Sequence, residues 1–155
     1  MAPDLRTELR QRKPFASREE EAYLSVVRTG ALLLDAFEQL LKPYGITATQ
    51  YNVLRILRGS GSDGLCRHEL RDRLLTRMPD VTRLLDRMED AELVVRTRDE
   101  TDRRLVAARL TPRGRQLVDQ LDVVVSDEHQ RLLGHLTHDQ LETLVELLAL
   151  VRRST

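Results

Sequence analysis

Arginine, threonine and aspartate recur within one short stretch of this chain in an arrangement suited to the edges of bases. Met78 to Ala91 reads as a helix in which Met78, Val81, Leu84, Leu85 and Met88 face inward. Pro79, Arg83, Asp86 and Arg87 fall on the opposite side, with Asp80 and Thr82 on the flanks. An arginine can donate to both major-groove acceptors of guanine, a carboxylate can accept from cytosine N4, and a threonine hydroxyl can serve either way. Arg77, Pro79, Asp80, Thr82, Arg83 and Arg87 are therefore the candidate DNA-contacting residues of this element. Further along, Arg103 and Arg104 sit in a polar turn between two β-compatible runs. They are suited to phosphates or to a narrow A·T-rich minor groove, where the negative potential is raised.

Other constellations carry less. Gly59, Gly61 and Gly64 match the glycine spacing of a dinucleotide-binding loop. That motif needs a strand before it and a helix opening inside it. Here a capped helical pattern precedes the glycines and no βαβ unit follows, so the segment reads as an interhelical loop. Asp99, Glu100 and Asp102 do not make a calcium loop, because Arg104 and Leu110 stand where glycine and glutamate are required. His129, His135 and His138 straddle a helix break without a cysteine beside them and are not expected to hold a metal. Cys66 is the only cysteine, which excludes an intrachain disulfide and any multi-cysteine zinc site. Arg67 and His68 could lower its pKa, but a lone cysteine at a helix edge is more often a small packing residue than a redox sensor. No nucleophile elbow, phosphate-binding loop or zinc-protease helix is present, so neither an enzyme nor a cofactor is expected.

The elements that must position the arginines come from the rest of the chain. Its 155 residues fit one domain, and 41% hydrophobic with 32% charged content is that of a folded, highly charged protein. Lys and Arg number 25, as do Asp and Glu, so the formal charge is zero and bulk attraction to nucleic acid is not indicated. The balance is regional, however. Residues 64–115 hold 13 Arg against 10 acids, whereas residues 116–155 hold 3 Arg against 7 acids. No apolar run approaches the ~20 residues that span a bilayer, and the first residues lack a signal-peptide core, so a cytoplasmic location without membrane association is expected.

Residues 1–16 read as an arm, partly helical at best. Ser17 to Glu20 has capping-box form and opens a helix with a stripe at Leu24, Val27, Ala31, Leu34, Phe37 and Leu41, stopped by Pro43 and Gly45. A second box at Thr47 to Gln50 opens a helix carrying Tyr51, Leu54 and Leu57. A short helix from His68 to Leu75 and the Met78 to Ala91 helix, joined by the turn Thr76-Arg77, form a helix-turn-helix. Leu93 to Arg98 and Leu105 to Leu110 then read as a hairpin with a charged tip. Thr111-Pro112 begins a long helix reaching about Leu133. Thr137 to Gln140 caps a last helix striped by Leu141, Leu144, Val145, Leu148 and Val151. Apolar terminal helices without an evident partner in the chain point to a homodimer.

The run Leu93-Val94-Val95-Arg96 through Asp102-Arg103-Arg104 to Leu110-Thr111-Pro112-Arg113-Gly114 resembles the wing signature of the multiple antibiotic resistance regulator (MarR) family of bacterial winged-helix transcription factors. Asp80 to Met88 resembles the recognition helix of that family, and the likeness covers about residues 20–152. The chain departs from the pattern at Glu92, where glycine usually precedes Leu-Val, so a local difference is expected at the turn into the wing.

The resemblance implies a mainly α fold with a small β wing, built as a single domain over residues 1–155. Residues 1–46 and 115–155 would supply dimerisation helices, and 47–114 the winged helix-turn-helix lobe. It also implies a homodimer that binds double-stranded DNA at a palindromic operator, probed by Arg104 in the minor groove with Asp102 bracing the wing. A small aromatic or phenolic effector would release the operator. Phe37, Tyr44 and Tyr51 could line its site, though such residues are more often core, and no ligand site is assigned. The acids within the reading helix keep a second reading open, a helical protein-interaction module that retains the fold without specific DNA binding.

Overall fold

Capping chemistry sets most of the element boundaries. In the computed structural model, which describes residues 4–98 and 106–153, the chain divides into two compact units, Met1–Ala48 and Thr49–Thr155. The first holds a one-turn helix α1 (Leu5–Glu8) capped by Asp4, then the long α2 (Arg18–Leu41) and a 3-10 turn over Lys42–Tyr44. Ser17 Oγ accepts from the Glu20 N–H at 3.2 Å, as the capping box predicts, while the Glu20 carboxylate reaches back to the Ala16 N–H. Of the stripe on α2 only Leu41 is buried; Tyr23, Val26, Val27, Leu32 and Leu34 are exposed.

The second unit runs α3 (Ala48–Gly59), β1 (Leu65–Cys66), α4 (Arg67–Arg73), α5 (Val81–Asp90), β2 (Val94–Arg98), β3 (Val106–Leu110), α6 (Pro112–Leu133) and α7 (His138–Arg153). The sheet is antiparallel in the order β1-β3-β2, with Val94 opposite Leu110 and Leu65 opposite Ala108. The sequence pattern does not contain β1, because two residues have no periodicity; pairing with β3 is what makes them a strand. Gly64 enters this pairing at φ +73°, and a Cβ there would strike the Ala108 carbonyl. The glycines at 59–64 thus serve an interhelical loop that delivers the chain to β3.

A single core collects Val53, Leu54 and Leu57 from α3, Leu70 from α4, Val81, Leu84, Leu85 and Met88 from α5, Leu93 and Val94, Ala108, and Val118 and Leu121 from α6. These are aliphatic side chains taken from helices and sheet alike, and their burial is what fixes α5 against the rest of the lobe. Thr111 caps α6 by accepting from the Gly114 N–H at 3.0 Å, with Pro112 at the first helical position. Gly114 passes so close to the Leu93 carbonyl that a Cβ would collide with it. Thr137 and Gln140 satisfy each other's N–H groups at the start of α7, at 2.9 and 3.3 Å. No residue of α7 is buried.

Candidate nucleic-acid interface

The helix-turn-helix differs from the sequence reading in its turn. The first helix ends at Arg73 and the second starts at Val81, so the connection is longer than Thr76-Arg77. Pro79 explains the late start, since it disfavours helical backbone at Met78, and Asp80 then takes the N-cap. The connection is held from behind by a residue that the sequence reading passed over. Asn52 on α3 is buried, and its Oδ1 accepts from the Leu75 N–H at 3.0 Å. A lone amide between Tyr51 and Val53 is the only sequence signal of that role. Met78, read as inward-facing, is half-buried.

All six residues assigned to this element are exposed: Arg77, Pro79, Asp80, Thr82, Arg83 and Arg87. Arg77 and Pro79 lie in the turn, Asp80 at the cap, and Thr82, Arg83 and Arg87 on α5 itself. Asp80 Oδ1 accepts from the Arg83 N–H at 2.9 Å, so one carboxylate oxygen is committed to the helix terminus. Asp86 is exposed, as expected, but its carboxylate is already committed. It pairs with Arg96 on β2 at 2.6 Å, which the helical wheel could not show because the partner is on another element.

The lobe contains two kinds of arginine. Arg58 grips Asp119 at 2.9 Å and Asp122 at 2.8 Å, tying α3 to α6. Arg96 grips Glu89 at 2.7 Å as well as Asp86, tying the wing root to α5. Its hydrogen bonds hold the Glu89 carboxyl below the ordinary range. Arg131 closes on Glu128 at 2.6 Å. Arg67, Arg77, Arg83 and Arg87, by contrast, have no carboxylate within salt-bridge distance among the described residues. Structural arginines are neutralised where they stand. Among the described residues, Arg77, Arg83 and Arg87 are the arginines without a carboxylate partner on α5 and the turn before it.

Cys66 caps α4, with its N–H donating to Glu69 Oε2 at 2.9 Å and its sulfur 3.2 Å from His68 Nδ1. Burial, then the Glu69 carboxylate, push the thiol pKa up, which suits a packing residue rather than a reactive thiolate. Asp102, Arg103 and Arg104 lie outside the described residues. Tyr51 is buried, and Phe37 and Tyr44 are half-buried. Among the described residues there is no cluster of His, Cys, Asp or Glu that could hold a metal, and no helix long and apolar enough to cross a membrane.

A helix-turn-helix joined to a three-stranded antiparallel sheet, with the second helix buried on one face and polar and charged on the other, defines a winged helix-turn-helix. Comparison with known proteins gives the family. Residues 44–105 match the sequence model of the MarR family. The HTH-type transcriptional repressor Rv2887 of Mycobacterium tuberculosis is 34% identical over 113 residues, 73% of this chain and 80% of that protein. Among solved structures, a mutant of MarR from E. coli complexed with operator DNA superposes with a TM-score of 0.79 at 28% identity, covering 90% of this chain and 99% of that one. BpsR of Bordetella bronchiseptica, whose DNA binding is regulated by 6-hydroxynicotinic acid, gives a TM-score of 0.78 at 25% identity, covering 90% and 98%. The chain belongs to the MarR family and is a transcription regulator.

Proposed function

We propose that this chain is a non-enzymatic, cytoplasmic repressor that binds a palindromic operator as a homodimer, with α5 in the major groove. The observation that carries the reading is the group of carboxylate-free arginines with Thr82 on and beside the outer face of a helix whose inner face is locked into the core. Arg77, Arg83 and Arg87 supply donors for guanine edges or phosphates, and Thr82 a hydroxyl. Asp80 retains an oxygen for a cytosine amino group beyond its capping bond. By likeness to the family, Arg104 would enter the minor groove and Asp102 would brace the wing, with Arg103 suited to phosphates or the same groove.

Dimerisation is supported by the exposed apolar side chains of α2 and α7, in line with residues 1–46 and 115–155 as dimer helices around a 47–114 lobe. Two lobes then address half-sites about 34–36 Å apart. A small aromatic or phenolic effector, in the manner of 6-hydroxynicotinic acid for BpsR, lowers operator affinity by favouring a different lobe spacing. Selection of bound sequences from random duplexes tests the reading. An enriched palindrome with half-sites one helical turn apart is expected, bound by a dimer. No enriched sequence at nanomolar protein would favour the protein-interaction module instead.

A further inference from the structure

Arg67 has no assigned role in the reading above, yet its side chain is tied to the proposed recognition surface. It opens α4 and donates from Nη1 to Thr82 Oγ1 on α5 at 3.1 Å, across a groove of about 330 Å³ in front of β3. Helix stability does not explain its place. A cation in the first turn opposes the helix dipole, and no carboxylate among the described residues pairs with it.

The chemistry of the bond is one-directional. A guanidinium only donates, whereas a hydroxyl has one proton and two lone pairs. The Arg67 bond therefore occupies one of the two lone pairs of Thr82 and leaves the hydroxyl proton and one lone pair; among the described residues this is the hydroxyl's one hydrogen bond. A threonine free in both directions accepts from cytosine or donates to guanine without strong preference. We propose that Arg67 is a specificity-determining residue that biases Thr82 toward donating to the base edges, so that a base offering an acceptor is preferred there. Guanine, adenine N7 and thymine O4 are favoured over the cytosine amino group, which has only the remaining lone pair to donate to. The assignment rests on the DNA-reading function proposed above and sharpens it to one base position.

Random-duplex selection with wild type, Arg67→Met, Arg67→Lys, Thr82→Val and the Arg67→Met/Thr82→Val double variant tests it. Thr82→Val locates the position, as the one base pair whose preference is lost. Arg67→Met is expected to relax that same position about five- to tenfold toward cytosine while the rest of the motif stands. Arg67→Lys, also donor-only, restores the preference and shows that the lobe tolerates substitution there. The double variant matches Thr82→Val at that position. An unchanged motif in Arg67→Met, with affinity lowered equally for all sequences, overturns the assignment and leaves Arg67 a phosphate contact. A wild-type selection without any enriched motif overturns the DNA-reading function and this assignment with it.

Discussion

Helices α5 and α7 are both amphipathic, and the chain treats them in opposite ways. On α5, Val81, Leu84, Leu85 and Met88 are each 6% exposed or less. On α7, Leu144, Val145, Leu147, Leu150 and Val151 are 38–63% exposed, and nothing is buried. An apolar stripe states that a face must be covered; it does not state by what. For α5 the cover is the lobe's own core, which frees the opposite face for polar recognition. For α7 none of the described residues buries the stripe, and a second copy is the partner that the family reading supplies. On the proposed reading the recognition surface is built on a helix anchored in the core, and the assembly surface on a helix with no buried residue.

The largest expected effect tests the anchored side. Met88→Ala removes a fully buried side chain and should cost about 2–5 kcal/mol in urea unfolding, with a cavity left beneath α5. Next comes the open side. Leu150→Glu should weaken the dimer by about 1.5–3 kcal/mol for each apolar side chain no longer buried, read as a raised dissociation constant in sedimentation equilibrium. A wild-type chain that sediments as a monomer at every concentration would break the comparison, because the α7 stripe would then need no partner. Arg83→Ala should leave the unfolding midpoint almost unmoved and cost about 1–3 kcal/mol at particular base pairs. A loss spread evenly over all sequences would make Arg83 a phosphate contact instead.

The elements set by local chemistry were legible in the sequence. Thr111-Pro112 and Thr137 to Gln140 mark helix starts by side-chain caps alone, and both stand where the pattern puts them. The apolar spacing of α5 identified its buried face for the same reason. What escaped is what depends on a distant partner. Strand β1 exists through β3, Asp86 is tied up by Arg96, and the α4–α5 turn is held by Asn52. Leu74 and Leu75 continue the helical period on paper. In the structure the chain has already left the helix, and Leu75 stands 79% exposed. Of the candidate contacts, the α5 side chains were found from spacing, whereas the hydrogen bond linking Arg67 to Thr82 joins residues on different elements and has no one-dimensional signal.

The smallest effect concerns the joint that hands the anchored helix to the wing. After α5, the Leu93 N–H bonds to the Met88 carbonyl and the Glu92 N–H to the Glu89 carbonyl, both at 2.9 Å. That is the Schellman arrangement, and it places the intervening residue in left-handed backbone, here Glu92 at φ +57°. The glycine-like turn is kept although the residue is glutamate. Its carbonyl accepts from Thr111 Oγ1 at 2.6 Å and its carboxylate meets Arg113 at 3.1 Å, so the joint also secures the start of α6. A side chain in this conformation costs about 1–2 kcal/mol. The exposed pair with Arg113 returns about 0–1 kcal/mol, and glycine's greater unfolded-state freedom takes back about 0.4–1 kcal/mol. Glu92→Gly should therefore stabilise the lobe by about 0.5 kcal/mol, measured by urea unfolding. Glu92→Ala keeps the strain, loses the ion pair and should fall below wild type. Were glycine also to fall below, the carboxylate rather than the backbone would be what holds the wing to its helix.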